Sequence, residues 1–324
     1  MTPLPNAHTQ LPVAVIGSGA AGISAALWLH DRGIPYLWFE REAAVGGTLR
    51  RVGNLIDELI GTPPMRGPEL VARLEHDLAE RGIAPQLQRD VLRIDRIQDT
   101  FQLEVHDHDG VQHHRAIAVI VATGTTPRML GLKHESELRG RGVEISVNRR
   151  RQHYAGKHVA VVGGGDAALE GALLLAEVCP KVFLIHRREE YRGQQRFIHE
   201  VCAHPRIETL VDEVRALHVD ESSRSVLTSI TLSSGRTLPV DGVFVRVGVV
   251  PSFPDGFLRE LVTDGATLPD DGFSRVAPGV YAAGDVAATW YQSVAWCAGS
   301  AARAVTTLSV DLGFARSAHP QRKT

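Results

Sequence analysis

A chain of 324 residues, 44% hydrophobic and 22% charged, has an ordinary globular balance and is long enough for two cores. Its formal charge of -2 offers no general attraction to nucleic acid or an anionic membrane, and no apolar run approaches the roughly 20 residues that span a bilayer. Three cysteines without a CxxC pair argue against a disulfide framework or a zinc site, and the start MTPLPNAHTQLP lacks the charged and apolar segments of a signal peptide, so a reducing, cytoplasmic setting is expected.

The first organised unit opens with the apolar run Val13-Ala14-Val15-Ile16, which reads as a buried parallel strand. Gly17-Ser18-Gly19-Ala20-Ala21-Gly22 follows, and then a helical pattern. In such a strand, GxGxxG, helix series Gly17 permits the tight turn, Gly19 lets a pyrophosphate approach the backbone, and Gly22 lets helix and strand pack closely. The phosphates then meet the positive end of the helix. Tyr36 to Phe39 reads as the next strand, and Glu40 closes it roughly 20 residues after the first glycine, where an acid binds ribose hydroxyls.

Residues 68–81 show helical periodicity, with Leu70, Val71, Leu74 and Leu78 on one face and Gly82 as a stop. Strands are expected at 91–97, 101–105 and 116–121. Within the connector HDHDGVQHH, Asp109-Gly110 is a turn signal, so a solvated hairpin is expected there in preference to a histidine metal site, and no metal is assigned.

The second unit repeats the first pattern. A strand at 158–162 meets Gly163-Gly164-Gly165-Asp166-Ala167-Ala168, a helix is expected at 169–178, and a strand at 181–185. This strand runs not into an acid but into His186-Arg187-Arg188-Glu189-Glu190-Tyr191-Arg192. Arginine forks recognise a 2′-phosphate that a carboxylate would repel, so Gly163, Gly165, Asp166, Ala167, Ala168, His186, Arg187, Arg188 and Arg192 are assigned to NADPH. The bland alternative for the arginines is a solvated, charged helix start, but they fall at the discriminating strand end. Two different dinucleotide sites imply an electron relay, with FAD retained in the first and NADPH visiting the second.

From end to end the chain resembles the low-molecular-weight thioredoxin reductases. The matching pieces are GSGAAG at 17–22, Gly46-Gly47-Thr48-Leu49, Ala122-Thr123-Gly124, GRGV at 140–143, GGGDAA at 163–168, HRREEYR at 186–192 and GVYAAGDV at 279–286, with RVGVVP at 246–251 similar to the family's return segment. The resemblance implies an α/β fold of two Rossmann-like domains, in which an NADPH domain at 127–248 is inserted into a discontinuous FAD domain at 1–126 and 249–324. It also implies a homodimer. For FAD it points to Gly17, Gly19, Ala20, Ala21, Gly22, Glu40, Gly47, Thr48, Leu49, Ala122, Thr123, Gly124, Gly284, Asp285, Gln292, Ser293 and Val294. Asp285 would bind the ribityl chain, and a helix beginning near Gln292 would aim its amino end at the flavin pyrimidine.

The departures matter as much. The two dithiol positions of thioredoxin reductases fall on Ser146 and Arg149, within SVNR, and neither side chain cycles between thiol and disulfide. Glu58-Leu59-Ile60-Gly61 stands near the usual Asn-Trp-Pro-Gly turn, and Tyr291-Gln292-Ser293-Val294 replaces an arginine, glutamine, alanine run. Cys297 is the one cysteine placed where a helix amino end lowers a thiol pKa, although core filling is its plainer role. No protein side chain is therefore assigned as catalytic; the flavin performs the chemistry. The expected activity passes electrons from NADPH through FAD to an acceptor other than thioredoxin, with a ferredoxin or flavodoxin carrier leading. The alternatives are a reductase of quinones, free flavins or other small acceptors, and a weakly active flavin-binding sensor or complex subunit. The basic run Arg149-Arg150-Arg151, with Arg139, Arg141 and Lys157 near it, suggests either a docking patch for an acidic carrier or a solvated turn.

Overall fold

A computed structural model describes residues 11–53, 55–220, 226–262, 266–269, 271–288 and 292–314. Two compact units divide the chain, Met1–Thr126 with Val250–Thr324 and Pro127–Val249. The second crossing thus falls one residue beyond the boundary expected from the sequence. The chain runs through β1 (Val13–Ile16), α1 (Ala20–Asp31), β2 (Tyr36–Phe39) and β3 (Ala118–Val121) in the first unit. It continues through β4 (His158–Val162), α2 (Asp166–Ala176), β5 (Lys181–His186) and β6 (Gly242–Val245) in the second, and returns to the first with β7 (Val280–Ala282) and α3 (Val294–Asp311).

In the first unit the main sheet has the order β2, β1, β3, β7, closed by the antiparallel strand Arg275–Ala277. Val13 pairs in parallel with Tyr36 on one side and Ala118 on the other. Both faces are covered, which is why β1 is apolar without alternation. Val13 and Val15 pack under α1 and α3, where Ala25 and Ala26 of one helix and Ala301 and Ala304 of the other share one core. Ala14 and Ile16 point the opposite way, into a layer formed by Ile94, Phe101, Leu103 and Val105.

That layer is a meander. Asp90–Ile97, Thr100–Asp107 and Gly110–Ala116 pair in antiparallel order, and Asp107 faces Gly110 across the tight turn of the histidine-rich connector. Asp107 is bonded to Arg89, which precedes the meander, at 2.5 Å, and within the hairpin to the Asp109 amide at 2.7 Å and Gln112 at 2.9 Å. The single strand expected at 116–121 is two strands. Ala116 ends the meander, Ile117 gives its N–H to the Pro12 carbonyl, and β3 starts at Ala118 in the other sheet. A continuous apolar run hides such a change of layer because both halves are buried. The amphipathic helix Gly67–Glu80 buries Leu78 in the core under α1 and α3, and Leu70 and Val71 in a small core with Leu49 and Met65.

The second unit repeats the plan with the strand order Val143–Glu144, β6, β4, β5, Ile207–Val211, parallel throughout. Val159 and Val161 of β4 pack against α2, whereas Ala160 and Val162 face a three-stranded antiparallel sheet through Ile230, Leu232 and Leu238. The two connecting segments, Thr125–Pro127 and Val249–Pro251, pair as short strands. Among the described residues no helix is long and apolar enough to cross a membrane.

Candidate cofactor and electron-transfer site

The first glycine turn sits where β1 hands over to α1. Gly17 has φ 97°, and a Cβ there would stand 2.5 Å from the Ala122 carbonyl oxygen. A Cβ on Gly22 would stand 1.9 Å from the Gly17 oxygen, so close packing admits glycine alone. Gly19 differs: a Cβ there meets nothing within 4 Å, which leaves an open face where backbone can be approached by phosphate. Glu40 is buried and holds the turn from the neighbouring strand end. Its Oε2 accepts the Ser18 N–H at 2.7 Å and the Ser18 hydroxyl at 2.6 Å, and its Oε1 accepts the Glu42 N–H at 2.8 Å. A carboxylate has about four acceptor positions, so one remains for a ribose hydroxyl. The indole of Trp38 adds a bond to the Gly17 carbonyl at 2.9 Å. Neither Ser18 nor Trp38 stood out in the sequence, since both act through contacts at the far end of a strand pair.

The remaining residues assigned to FAD gather at the carboxyl ends of the same strands. Gly46 donates to the Ser18 carbonyl at 2.8 Å, which brings the short helical turn Gly47–Arg51 to Gly19, and Leu49 is buried beneath it while Thr48 is exposed. Ala122 donates to Ile16, and Ala283 to Val121, so the segments after β3 and β7 step across the sheet in register. Thr123 is tied to the Ser252 carbonyl, and the Gly124 carbonyl accepts the Ser252 N–H. Gly284 donates to the buried Ser300 hydroxyl at 2.9 Å, fixing the turn that carries Asp285 against α3. Helix α3 begins at Val294 with Ser293 as its cap, whose hydroxyl accepts the Trp296 N–H; Gln292 precedes it and is exposed. Tyr291 lies outside the described residues.

Cys297 lies one turn into α3, with its thiol 3.5 Å from Asp285 Oδ1. Burial pushes this thiol far above the ordinary cysteine value, and the adjacent carboxylate pushes the same way. Burial among the small residues of α3 agrees with core filling, the plainer of the two roles weighed for Cys297. Burial also raises Asp285, with the Cys297 contact opposing it.

In the second unit Gly163 has φ 146° and would place a Cβ 2.3 Å from the Arg246 carbonyl oxygen. Gly165, like Gly19, would direct a Cβ into open space. The middle glycine has a partner the sequence did not reveal: a Cβ on Gly164 would stand 2.3 Å from Nε2 of His186. His186 is buried there and stacks on Tyr191 at 5.3 Å between ring centroids. Burial holds it below the ordinary histidine value, and the charges of Arg192, Arg188 and Arg187 push further down. It is thus a packed ring supporting the turn. Arg192 gives its backbone N–H to the Gly164 carbonyl at 2.8 Å, which folds the strand-end loop back to the glycines. Arg187, Arg188 and Arg192 are exposed, and among the described residues none of their guanidiniums forms an ion pair. Asp166 opens α2, yet its carboxylate faces the Gln194 amide at 2.6 Å; Ala167 is exposed and Ala168 buried.

Before this turn, Ser146 caps the short helix Val147–Arg150 without a side-chain bond, and Arg149 is exposed. The arginine run is not a uniform basic patch. Arg150 is bonded to the buried Glu144 at 3.0 Å and to the Gly140 carbonyl at 2.9 Å, and Arg151 to Glu177 at 2.8 Å. Lys157 lies over the Tyr154 ring. Arg246 ties the segment to the nucleotide turn, donating to the Ile145 carbonyl at 2.8 Å and the Ala167 carbonyl at 3.3 Å.

Two strand, glycine turn and helix units, one ending in an acid and one in arginines, define an oxidoreductase that uses two dinucleotides. The chain belongs to the pyridine nucleotide-disulphide oxidoreductase family, which matches residues 11–302. It is 31% identical over 297 residues to the thioredoxin reductase of Treponema pallidum, covering 89% of this chain and 92% of that one. Identity to the thioredoxin reductase of Streptomyces clavuligerus is 32% over 302 residues, 89% of each chain. In fold it is similar to the Lactococcus lactis thioredoxin reductase structure, with a TM-score of 0.79 at 24% identity over 94% of this chain and 99% of that one. The fold is the α/β arrangement of two Rossmann-like FAD and NADPH domains, and the activity class is that of FAD-dependent pyridine nucleotide oxidoreductases of the thioredoxin reductase family. Thioredoxin reductases of this family use FAD and NADPH, and the open faces of Gly19 and Gly165 fit a dinucleotide at each turn.

Proposed function

We propose that this chain is a reductase that moves electrons from NADPH through FAD to an acceptor without a protein dithiol, and that the acceptor is a one-electron carrier of the ferredoxin or flavodoxin type. The observation that carries this reading is the pair Ser146 and Arg149 at the dithiol positions, joined to the state of the three cysteines: Cys179 is buried, Cys202 is exposed on the helix Gln195–Ala203, and Cys297 faces Asp285. When bound, FAD accepts a hydride and releases electrons singly or in pairs. The protein's part is binding and orientation. Gly17, Gly19 and Gly22 shape the FAD turn, Glu40 fixes it and keeps one acceptor position for ribose, and Ser300 holds Gly284 so that Asp285 stands beside α3. In the second unit Gly163 and Gly165 receive NADPH, His186 braces the turn, and the unpaired guanidiniums of Arg187, Arg188 and Arg192 select the 2′-phosphate.

The test is stopped-flow reduction of the holoprotein by NADPH and by NADH, followed by reoxidation with ferredoxin, flavodoxin, thioredoxin and a quinone. Rapid reduction by NADPH and fastest reoxidation by an iron–sulfur or flavin carrier are expected. Robust electron transfer to thioredoxin would overturn the reading.

A further inference from the structure

Glu58 and Val294 are 236 positions apart, yet Glu58 Oε1 accepts the Val294 N–H at 3.2 Å, the first amide of α3. The first turn of α3 carries no acid of its own, and Ser293 has already satisfied the Trp296 amide, so Glu58 supplies the carboxylate at this helix end. The contact lies in the candidate FAD site. Val294 and Leu59 pack on the same small core as Leu49 and Ala20, which join the turn at Gly47 to the start of α1.

Strand order shows which half of the dinucleotide comes here. A dinucleotide bound at the Gly19 turn crosses the carboxyl ends of the strands. Glu40 marks its ribose on the β2 side, so its other half extends over β3 and β7, toward Asp285 and the amino end of α3. Resting on the FAD reading above, we propose that Glu58 sets the potential of the flavin: it places a negative charge at the helix end that would otherwise stabilise the reduced ring. Reduction adds negative charge to the ring, a helix amino end favours that charge, and a carboxylate on the same amide opposes it. The flavin is thereby held at a lower potential than the bare helix end would give, which suits delivery of electrons to a low-potential carrier.

The experiment measures the flavin midpoint potential by dye equilibration, and the FAD Kd by fluorescence, in the wild-type holoprotein, Glu58→Gln and Glu58→Asp. Glu58→Gln retains an acceptor but removes the charge. It should favour reduced over oxidised FAD about tenfold, a rise of about 30 mV for a two-electron couple. Glu58→Asp keeps the charge and should stay near the wild-type potential. Equal potentials for wild type and Glu58→Gln, or equal shifts for Gln and Asp, would overturn the proposal while leaving the flavoprotein reading intact. A wild-type chain that binds no FAD would overturn both.

Discussion

Nε of Arg150 lies 3.0 Å from Oε1 of the buried Glu144, an oxygen that also accepts the Tyr154 hydroxyl at 3.0 Å. Arg150 is therefore part of the unit's interior bonding, and among the described residues Arg149 is the exposed, unpaired charge of the run that the proposed carrier would meet. Replacing Arg150 by Ala leaves Glu144 with one donor and should cost about 2 kcal/mol, read as a lowered midpoint in urea. Arg149→Ala should leave the midpoint unchanged and flatten the salt dependence of carrier reoxidation. An unaltered midpoint for Arg150→Ala would show that water replaces the guanidinium freely.

Gly19 and Gly22 separate binding from folding within a single motif. Gly19→Val finds open space in the protein, so the chain should fold, with unchanged thermal unfolding in the cofactor-free state, and purify colourless because the new side chain occupies the phosphate approach. Gly22→Ala presses on the Gly17 carbonyl at 1.9 Å and should lower Tm before any cofactor is added. Flavin absorbance per chain and calorimetry of both apoproteins check the pair.

Whereas the insertion of one domain in another was implied only by the resemblance of motifs along the whole chain, both glycine turns and the acid and arginine strand ends were legible because each is local: a few adjacent residues dictate a turn. The ties that organise the site were not. Glu58 with Val294, Arg246 with Ile145 101 positions away, and Gly164 over His186 join segments whose spacing carries no periodic signal. The arginine run left its docking-patch and solvated-turn readings open because pairing is not written in residue type: Arg150 meets Glu144, six positions back on the short strand Val143–Glu144, and Arg151 meets Glu177, just past the end of α2.

Arg187 and Arg188 follow β5, form no ion pair among the described residues, and under the proposed function are the pair that discriminates NADPH from NADH. Each contact to a phosphate contributes roughly 1.5 to 3 kcal/mol, so Arg187→Ala and Arg188→Ala should each lower the NADPH efficiency about tenfold to a hundredfold. Reduction by NADH should change little. The ratio of the two flavin-reduction efficiencies is the measurement, and an unchanged ratio in both variants would place the 2′-phosphate elsewhere.

The carboxyl end of α3 carries an acid-sensitive clamp. Arg275 donates to both oxygens of Asp311, at 2.8 and 2.9 Å, and Tyr281 adds a third bond at 2.7 Å. These bonds, the arginine's first, hold Asp311 below the ordinary aspartate value. A depressed folded pKa contributes stability that is complete above the unfolded value of about 4 and is lost as the pH falls through the folded one. Asp311→Asn should therefore lower Tm at pH 7 and weaken its dependence on pH below about 4. A variant whose Tm follows the wild-type curve throughout would show that the clamp is energetically idle.

The last prediction joins thiol chemistry to the choice of acceptor. Thiolate is the reactive form of cysteine, so reactivity follows exposure and pKa together. Cys179 is buried, gives its thiol proton to the Tyr154 carbonyl, and is pushed up to about 11 by burial. Cys297 is raised further by burial and by Asp285, whereas Cys202 is exposed. Iodoacetamide at pH 8 should label Cys202 in the native protein and reach Cys179 and Cys297 only after unfolding, as read by mass spectrometry. A chain with this pattern presents no poised thiol to a disulfide substrate, and NADPH should not drive thioredoxin reduction. Native labelling of Cys297, together with thioredoxin-linked NADPH oxidation lost in Cys297→Ser, would mean that this thiol had taken over the role of the missing dithiol.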